Sequence, residues 1–248
     1  MIVADFRVYM KIVLDLHTHS IASGHAYSTI QEMAAAAAEK GLSFLGITEH
    51  GPLVPGAPDP IYFRNLHCIP KVISGVRILH GAELNICDLQ GNLDLGEEYY
   101  KRFDHVVAGV HKVCFPASTQ TKNTDAVLAA MHNPRVNIIS HPADGAATVN
   151  LEALVRASRE TATLLEVNNS SLSPQRKNPV ARALNTELLQ LCRKYDVPVI
   201  LGSDAHISFS IADYTHVYEL LRETAFPEEL IVNTDMHRFN RFTGLQLA

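Results

Sequence analysis

Seven short β-branched or apolar runs recur along the chain, at Ile12–Leu16, Phe44–Thr48, Arg77–Leu84, His105–Val110, Val136–Ser140, Leu164–Asn168 and Val197–Ser203. Each is nearly continuous in apolar residues rather than alternating, the pattern of parallel strands covered on both faces. Helical patterns fill the intervals. Ser28 or Thr29 can cap an alanine-rich helix through Glu39-Lys40, which Gly41 stops. Asn123 or Thr124 can cap a helix to His132, ended by Pro134, and Asn150 precedes Leu151–Arg159. Val180–Tyr195 places Leu184, Leu188 and Leu191 on one face. Further helices are predicted over Asp213–Glu223 and after Pro227.

Repeated strand–helix units imply a parallel sheet with helices outside it. Seven of them within 248 residues favour closure into an α/β barrel over an open doubly wound sheet. No glycine-rich phosphate loop follows the first strand, which weakens a nucleotide-binding reading. The expectation is one domain over residues 1–248, with residues 1–9 an extension or an artefact of start-codon choice.

Composition narrows the class. A hydrophobic content of 47% with 19% charged residues fits a well-packed globular protein. The formal net charge of −5 disfavours nucleic acid as a partner. Cys68, Cys87, Cys114 and Cys192 form no CxxC pair, as in a reducing cytosol, and Cys87 and Cys114 read as small buried hydrophobes. No apolar run is long enough for a membrane span, and the first eleven residues lack the features of a signal peptide. A cytoplasmic protein without membrane partners is therefore expected; oligomeric state is not readable.

The strand ends carry the chemistry. The first strand ends at His17 and His19, the second at Glu49-His50, the third at Glu83 and the fourth at His111. The fifth ends at His141, the sixth at Asn168-Asn169-Ser170-Ser171, and the seventh at Asp204 and His206. In a parallel barrel these positions gather on the C-terminal face, where active sites of such barrels sit. His25 reaches the same face from the first loop. A lone histidine after a strand is usually structural, and His67, His80, His105, His132, His216 and His237 are assigned no function. Seven converging imidazoles with two carboxylates would carry a severe desolvation cost unless a metal held them.

Imidazole-rich sites with few carboxylates and no thiolates suit Zn²⁺, with Mn²⁺ or Fe²⁺ as alternatives. Nine ligands are too many for one tetrahedral ion and slightly lean for three closed ones, so three ions would each keep an open position. Two carboxylates against three divalent ions leave a centre of about +4, which favours a phosphate dianion over a neutral ester or amide.

At these residues the chain resembles the PHP (polymerase and histidinol phosphatase) superfamily. The resemblance rests on Asp15-Leu16-His17-Thr18-His19, Ile47-Thr48-Glu49-His50, Glu83, His111, Ile139-Ser140-His141-Pro142 and Gly202-Ser203-Asp204-Ala205-His206. The wider spelling, with His25-Ala26-Tyr27-Ser28, Glu83-Leu84-Asn85 and Asn168-Asn169-Ser170-Ser171, resembles its YcdX-like phosphatases, over about residues 12–242. That resemblance implies a distorted (β/α)7 barrel, TIM-like, with three metals. His17, His19, Glu83 and Asp204 would bind the first. Glu83 would bridge to a second held by His111 and His141, and His25, His50 and His206 would bind the third. One departure is that Glu49 stands where the family usually has Asp, which puts a hydrogen bond behind the ligands in doubt and leaves ligation by His50 in place.

The function expected is a metal-dependent phosphatase that hydrolyses small phosphomonoesters with a metal-activated hydroxide, His17, Glu83, Asp204 and His206 being its catalytic core. Arg64, Lys112, Arg176 and Lys177 lie in loops after strands two, four and six and could complete a phosphate clamp, with Arg176 and Arg64 favoured for substrate binding. Rival readings are histidinol-phosphate phosphatase or phosphodiesterase activity, a binuclear amidohydrolase, and a non-catalytic metal-binding protein. An amidohydrolase would place a bridging lysine after strand four, where this chain has His111.

Overall fold

The computed structural model describes residues 10–247, so the residue 1–9 extension lies outside the described residues. Eight strands form one sheet: β1 (Leu14–Asp15), β2 (Phe44–His50), β3 (Val72–Ile73), β4 (Val76–Asn85), β5 (His105–Gly109), β6 (Ile138–Ile139), β7 (Leu164–Asn168) and β8 (Val199–Gly202). Seven are parallel in the order β1-β2-β4-β5-β6-β7-β8. The short β3 was not expected from the sequence. It pairs antiparallel with β4 across Ser74-Gly75, both of which have positive φ.

The sheet curls into a nearly closed barrel. Above, Thr18 bridges Ala205, and the Asp204 amide donates to the His17 carbonyl. Below, the buried Asn233 fills the gap, accepting from Leu201 N and donating to the carbonyls of Leu14 and Leu201. The barrel floor is apolar, with Leu14, Leu16, Leu79, Val107, Ile138, Leu164 and Ile200 packed together.

Eight helices lie among the described residues: α1 (Ile30–Glu39), α2 (Pro60–Arg64), α3 (Gln120–Met131), α4 (Leu151–Thr161), α5 (Asn169–Leu172), α6 (Ala181–Tyr195), α7 (Thr215–Glu223) and α8 (Met236–Thr243). Thr29 caps α1 with a full capping box to Glu32, and Asn150 caps α4. The cap of α3 differs from expectation. Thr119 supplies it, because Asn123 turns its side chain to the amide and carbonyl of Ser118 and the Thr148 carbonyl. Among the described residues no helix is long and apolar enough to cross a membrane.

Candidate metal centre

Each parallel strand ends on the same face, and the polar residues that follow turn into one cavity of about 410 Å³. At its base lies Glu83, the penultimate-but-one residue of β4 and fully buried. Its Oε1 stands 3.4 Å from His17 Nε2, 3.3 Å from His111 Nε2 and 3.0 Å from His141 Nε2. Its Oε2 stands 3.6 Å from His19 Nε2 and 2.8 Å from His50 Nδ1. One carboxylate thus faces five imidazoles. Asp204 Oδ1 lies 3.7 Å from His17, 3.3 Å from His19 and 3.4 Å from His206. His25 Nε2 meets His206 Nε2 at 3.1 Å, with the His50 ring stacked on His25 at 4.8 Å.

These separations suit a metal. Tetrahedral Zn–N bonds of about 2.0–2.1 Å put ligand atoms about 3.3 Å apart, close to the 3.1 Å between His17 Nε2 and His19 Nε2. Glu83 Oε2 and His50 Nδ1 are 2.8 Å apart, yet their angles make no hydrogen bond and both are buried without one. Lone pairs aimed at a shared point, rather than at each other, explain that geometry. Three sets of ligand atoms converge closely enough for an ion: His17 with His19 and Glu83; His50 with Glu83 and His111; His19 with His50 and His206. His50 therefore stands between groups rather than only with His25 and His206.

The charges agree. Burial would raise the Glu83 and Asp204 carboxyls, but the imidazoles around them hold both well below the usual range. Burial would likewise lower His17 and His141. The carboxylates of Glu166, Glu83 and Asp204 instead raise His17 well above its usual value, and those of Glu83 and Asp144 hold His141 up at about 9. His19, His25 and His206 are pushed down, by burial first and by neighbouring imidazoles in the crowded half.

Buried groups behind these imidazoles fix their rings. Glu166 Oε1 takes the proton of His17 Nδ1 at 2.6 Å, while Oε2 accepts from the His141 amide at 2.8 Å and from Asn168 Nδ2 at 3.0 Å. His111 Nδ1 donates to Asn85 Oδ1 at 2.7 Å, and Asn85 is anchored by Asp94. The Glu49 carboxylate accepts from Ser20 N, Ser20 Oγ and Ser23 Oγ, and from Tyr62 OH at 3.3 Å. Because Ser23 gives its proton to Glu49, its oxygen is left to accept from His19 Nδ1 at 3.3 Å and the His50 amide at 3.1 Å. The longer acid at position 49 thus keeps a hydrogen-bonding role behind His19 and His50. Backbone strain sits here too: His141 and Asp204 both have positive φ, at 33° and 53°.

Sequence reasoning missed Glu166. Its signal was a carboxylate inside the otherwise apolar Leu164-Leu165-Glu166-Val167, a buried charge that demands a partner. Gly202 was read only as part of a motif. A Cβ there would overlap Glu166 Oε1 outright, so glycine makes the room for that carboxylate.

The candidate clamp divides. Arg176 lines the cavity, its guanidinium held by Ser170 Oγ at 2.8 Å and 4.0 Å from Asp204. Arg64 does not line it; its guanidinium lies over the Tyr99 ring, 5.3 Å from the centroid. Lys112 and Lys177 are exposed and also absent from the lining. Cys87 and Cys114 are partly rather than fully buried, and neither lines the cavity.

The PHP domain matches residues 15–170. A probable phosphatase of Clostridium novyi is 46% identical over 226 residues, covering 91% of this chain and 92% of that protein. A probable phosphatase of Acetivibrio thermocellus is 43% identical over 233 residues, covering 94% and 95%. Among solved structures, histidinol phosphate phosphatase from Lactococcus lactis, in complex with zinc, L-histidinol and phosphate, superposes with a TM-score of 0.58 at 19% identity. That alignment covers 86% of this chain and 94% of the other.

Proposed function

The chain belongs to the PHP domain family, and from that premise we propose that it is a phosphatase that hydrolyses small phosphomonoesters at a site of three metal ions, zinc best matching the donors. His17, His19, Glu83 and Asp204 hold the first. Glu83, His111 and His141 hold the second, and His25, His50 and His206 the third. The barrel acts as one catalytic domain. The observation that carries this reading is Glu83, whose two oxygens face five imidazoles at 2.8–3.6 Å in a buried pocket. The donor set of imidazole and carboxylate fits zinc. The names and coverage of the two relatives support phosphatase activity.

When bound, the ions supply positive charge for phosphate oxygens and lower the pKa of water. The chain's residues do the rest. Glu166, Asn85 and Ser23 take the distal protons of His17, His111 and His19, leaving the facing nitrogens free to bind. Arg176, the one arginine lining the described cavity, is placed to meet a phosphate oxygen. Glu49, locked by four donors, holds the Ser23 oxygen towards His19. Hydrolysis of para-nitrophenyl phosphate, lost on chelation and restored by Zn²⁺ or Mn²⁺, is the expected result. Full turnover by a protein stripped of metal would overturn the reading.

A further inference from the structure

Arg176 separates two cavities. Beyond it, between the segment after β7 and the segment after β8, lies a second chamber of about 370 Å³ that shares Arg176, Asp204 and His206 with the metal pocket. Its volume is in the range of small-molecule sites. Ser170, Ser173 and Gln175 line one wall; Ser203, Ser210 and His216 line the other. Among the described residues, Ile207 is the only aliphatic side chain in its lining.

We propose that this chamber receives the alcohol portion of the substrate, and that it selects phosphomonoesters of polyhydroxylated alcohols, such as sugar or polyol phosphates. The proposal rests on the phosphatase reading above and extends it to substrate class. With phosphate on the ions beside Arg176, the ester oxygen and its carbon chain can pass Asp204 and His206 into the chamber. The overall change is balanced: water adds its oxygen to phosphorus, the ester P–O bond breaks, and the alcohol leaves carrying a proton.

The lining separates this class from its neighbours. Hydroxyls, an amide and an imidazole can each donate and accept, which suits neutral hydroxyl groups. Among the described residues, no internal hydrogen bond engages the Ser210 hydroxyl or the His216 ring, so both are available to a ligand. A second phosphate finds no cation in the lining other than Arg176, which the first pocket already shares. An ammonium finds one carboxylate besides Asp204, that of Asp213. Asp213 already accepts from Thr215 N and Oγ1 and feels the charge of Lys40. An apolar aryl or alkyl group would leave the Ser210 hydroxyl and the His216 ring unpaired.

The test compares kcat/KM of the metal-loaded protein for glucose 6-phosphate, glucosamine 6-phosphate, fructose 1,6-bisphosphate and phenyl phosphate. The expected ratio of glucose 6-phosphate to phenyl phosphate exceeds ten. It falls at least tenfold in Ser210→Val with His216→Leu, in protein whose melting temperature and metal content match the parent. Calorimetric titration with a non-hydrolysable hexose phosphonate reads the same subsite without turnover, and its Kd should rise at least tenfold in the double variant. If that variant does not fold, Gln175→Leu carries the same comparison. Phenyl phosphate turned over as well as the sugar ester, or an aminated or bisphosphorylated ester preferred tenfold, overturns the subsite alone. Turnover of none of the four esters overturns the phosphatase reading together with it.

Discussion

Two groups of buried histidines occupy this barrel, and they obey different rules. On the floor, His105 sits at the start of β5, 1% exposed, and donates Nε2–H to the Leu16 carbonyl at 3.0 Å. Its ring has space because Gly46 and Gly81 flank it; a Cβ on either would come within 2.9 Å of His105 Cε1. Burial holds this imidazole neutral, its pKa pulled down to about 4. On the C-terminal face, His17 and His141, also buried, are pushed up by surrounding carboxylates, while His19 is pushed down. Burial alone therefore says nothing about function. What distinguishes the two sets is the partner: His105 binds one backbone carbonyl through Nε2 and buries its Nδ1 unpaired, whereas the face crowds imidazoles around Glu83 and Asp204 with lone pairs converging.

Glu83→Ala should show the contrast most strongly. It removes the group common to two ligand sets, and kcat/KM on a phosphomonoester should drop by about a thousandfold or more, several kcal/mol of charge stabilisation. Elemental analysis should show fewer bound ions, and a melting curve should show a folded protein. Next comes Glu166→Gln, which weakens the acceptor behind His17. Metal affinity or activity should fall about 10–100-fold, and Gly202→Ala should fall similarly although it carries no functional group, because its Cβ displaces Glu166. Zinc competition with a chromogenic chelator measures both; wild-type affinity in either variant would detach Glu166 from the centre.

His105→Ala is the floor's counterpart. It leaves a cavity and an unpaired carbonyl, a loss of about 2–4 kcal/mol, or a melting temperature roughly 5–15 °C lower, with turnover at 25 °C within about twofold of the parent. A thousandfold loss of turnover would erase the distinction between floor and face.

The smallest effect is one of pH. The folded pKa of His105 lies below its unfolded value, so the unfolded chain binds the extra proton between the two. Its contribution is fully present above about pH 6.5 and is lost as pH falls towards the folded value of about 4. At most that is about 3 kcal/mol, so a plot of stability against pH should be flatter over this window in His105→Gln.

The sequence made the face legible for a physical reason. Parallel strands covered on both sides read as apolar runs, so the polar residue ending each run stands out, and strand direction alone sends Glu83, His111 and His141 to one side. Each of the seven parallel strands overlaps one of the apolar runs, with β2 and β4 reaching one or two residues beyond theirs. What escaped was set by tertiary contact. β3 exists because a tight turn folds it onto β4, and the α3 cap fell to Thr119 because Asn123 found partners in neighbouring loops. Asn233, which closes the barrel, carries no local signature. Arg64 follows β2 as expected, but at the end of helix α2 rather than in a loop, and its guanidinium lies over Tyr99, a contact no strand-end rule could reveal.

The most direct test titrates metal-stripped protein with Zn²⁺ while following phosphomonoester hydrolysis and bound metal together. Activity that rises to a plateau near three ions per chain, and that never appears in Glu83→Ala at any zinc level, is the predicted result. Full activity without metal, or a plateau at a single ion, would contradict the account.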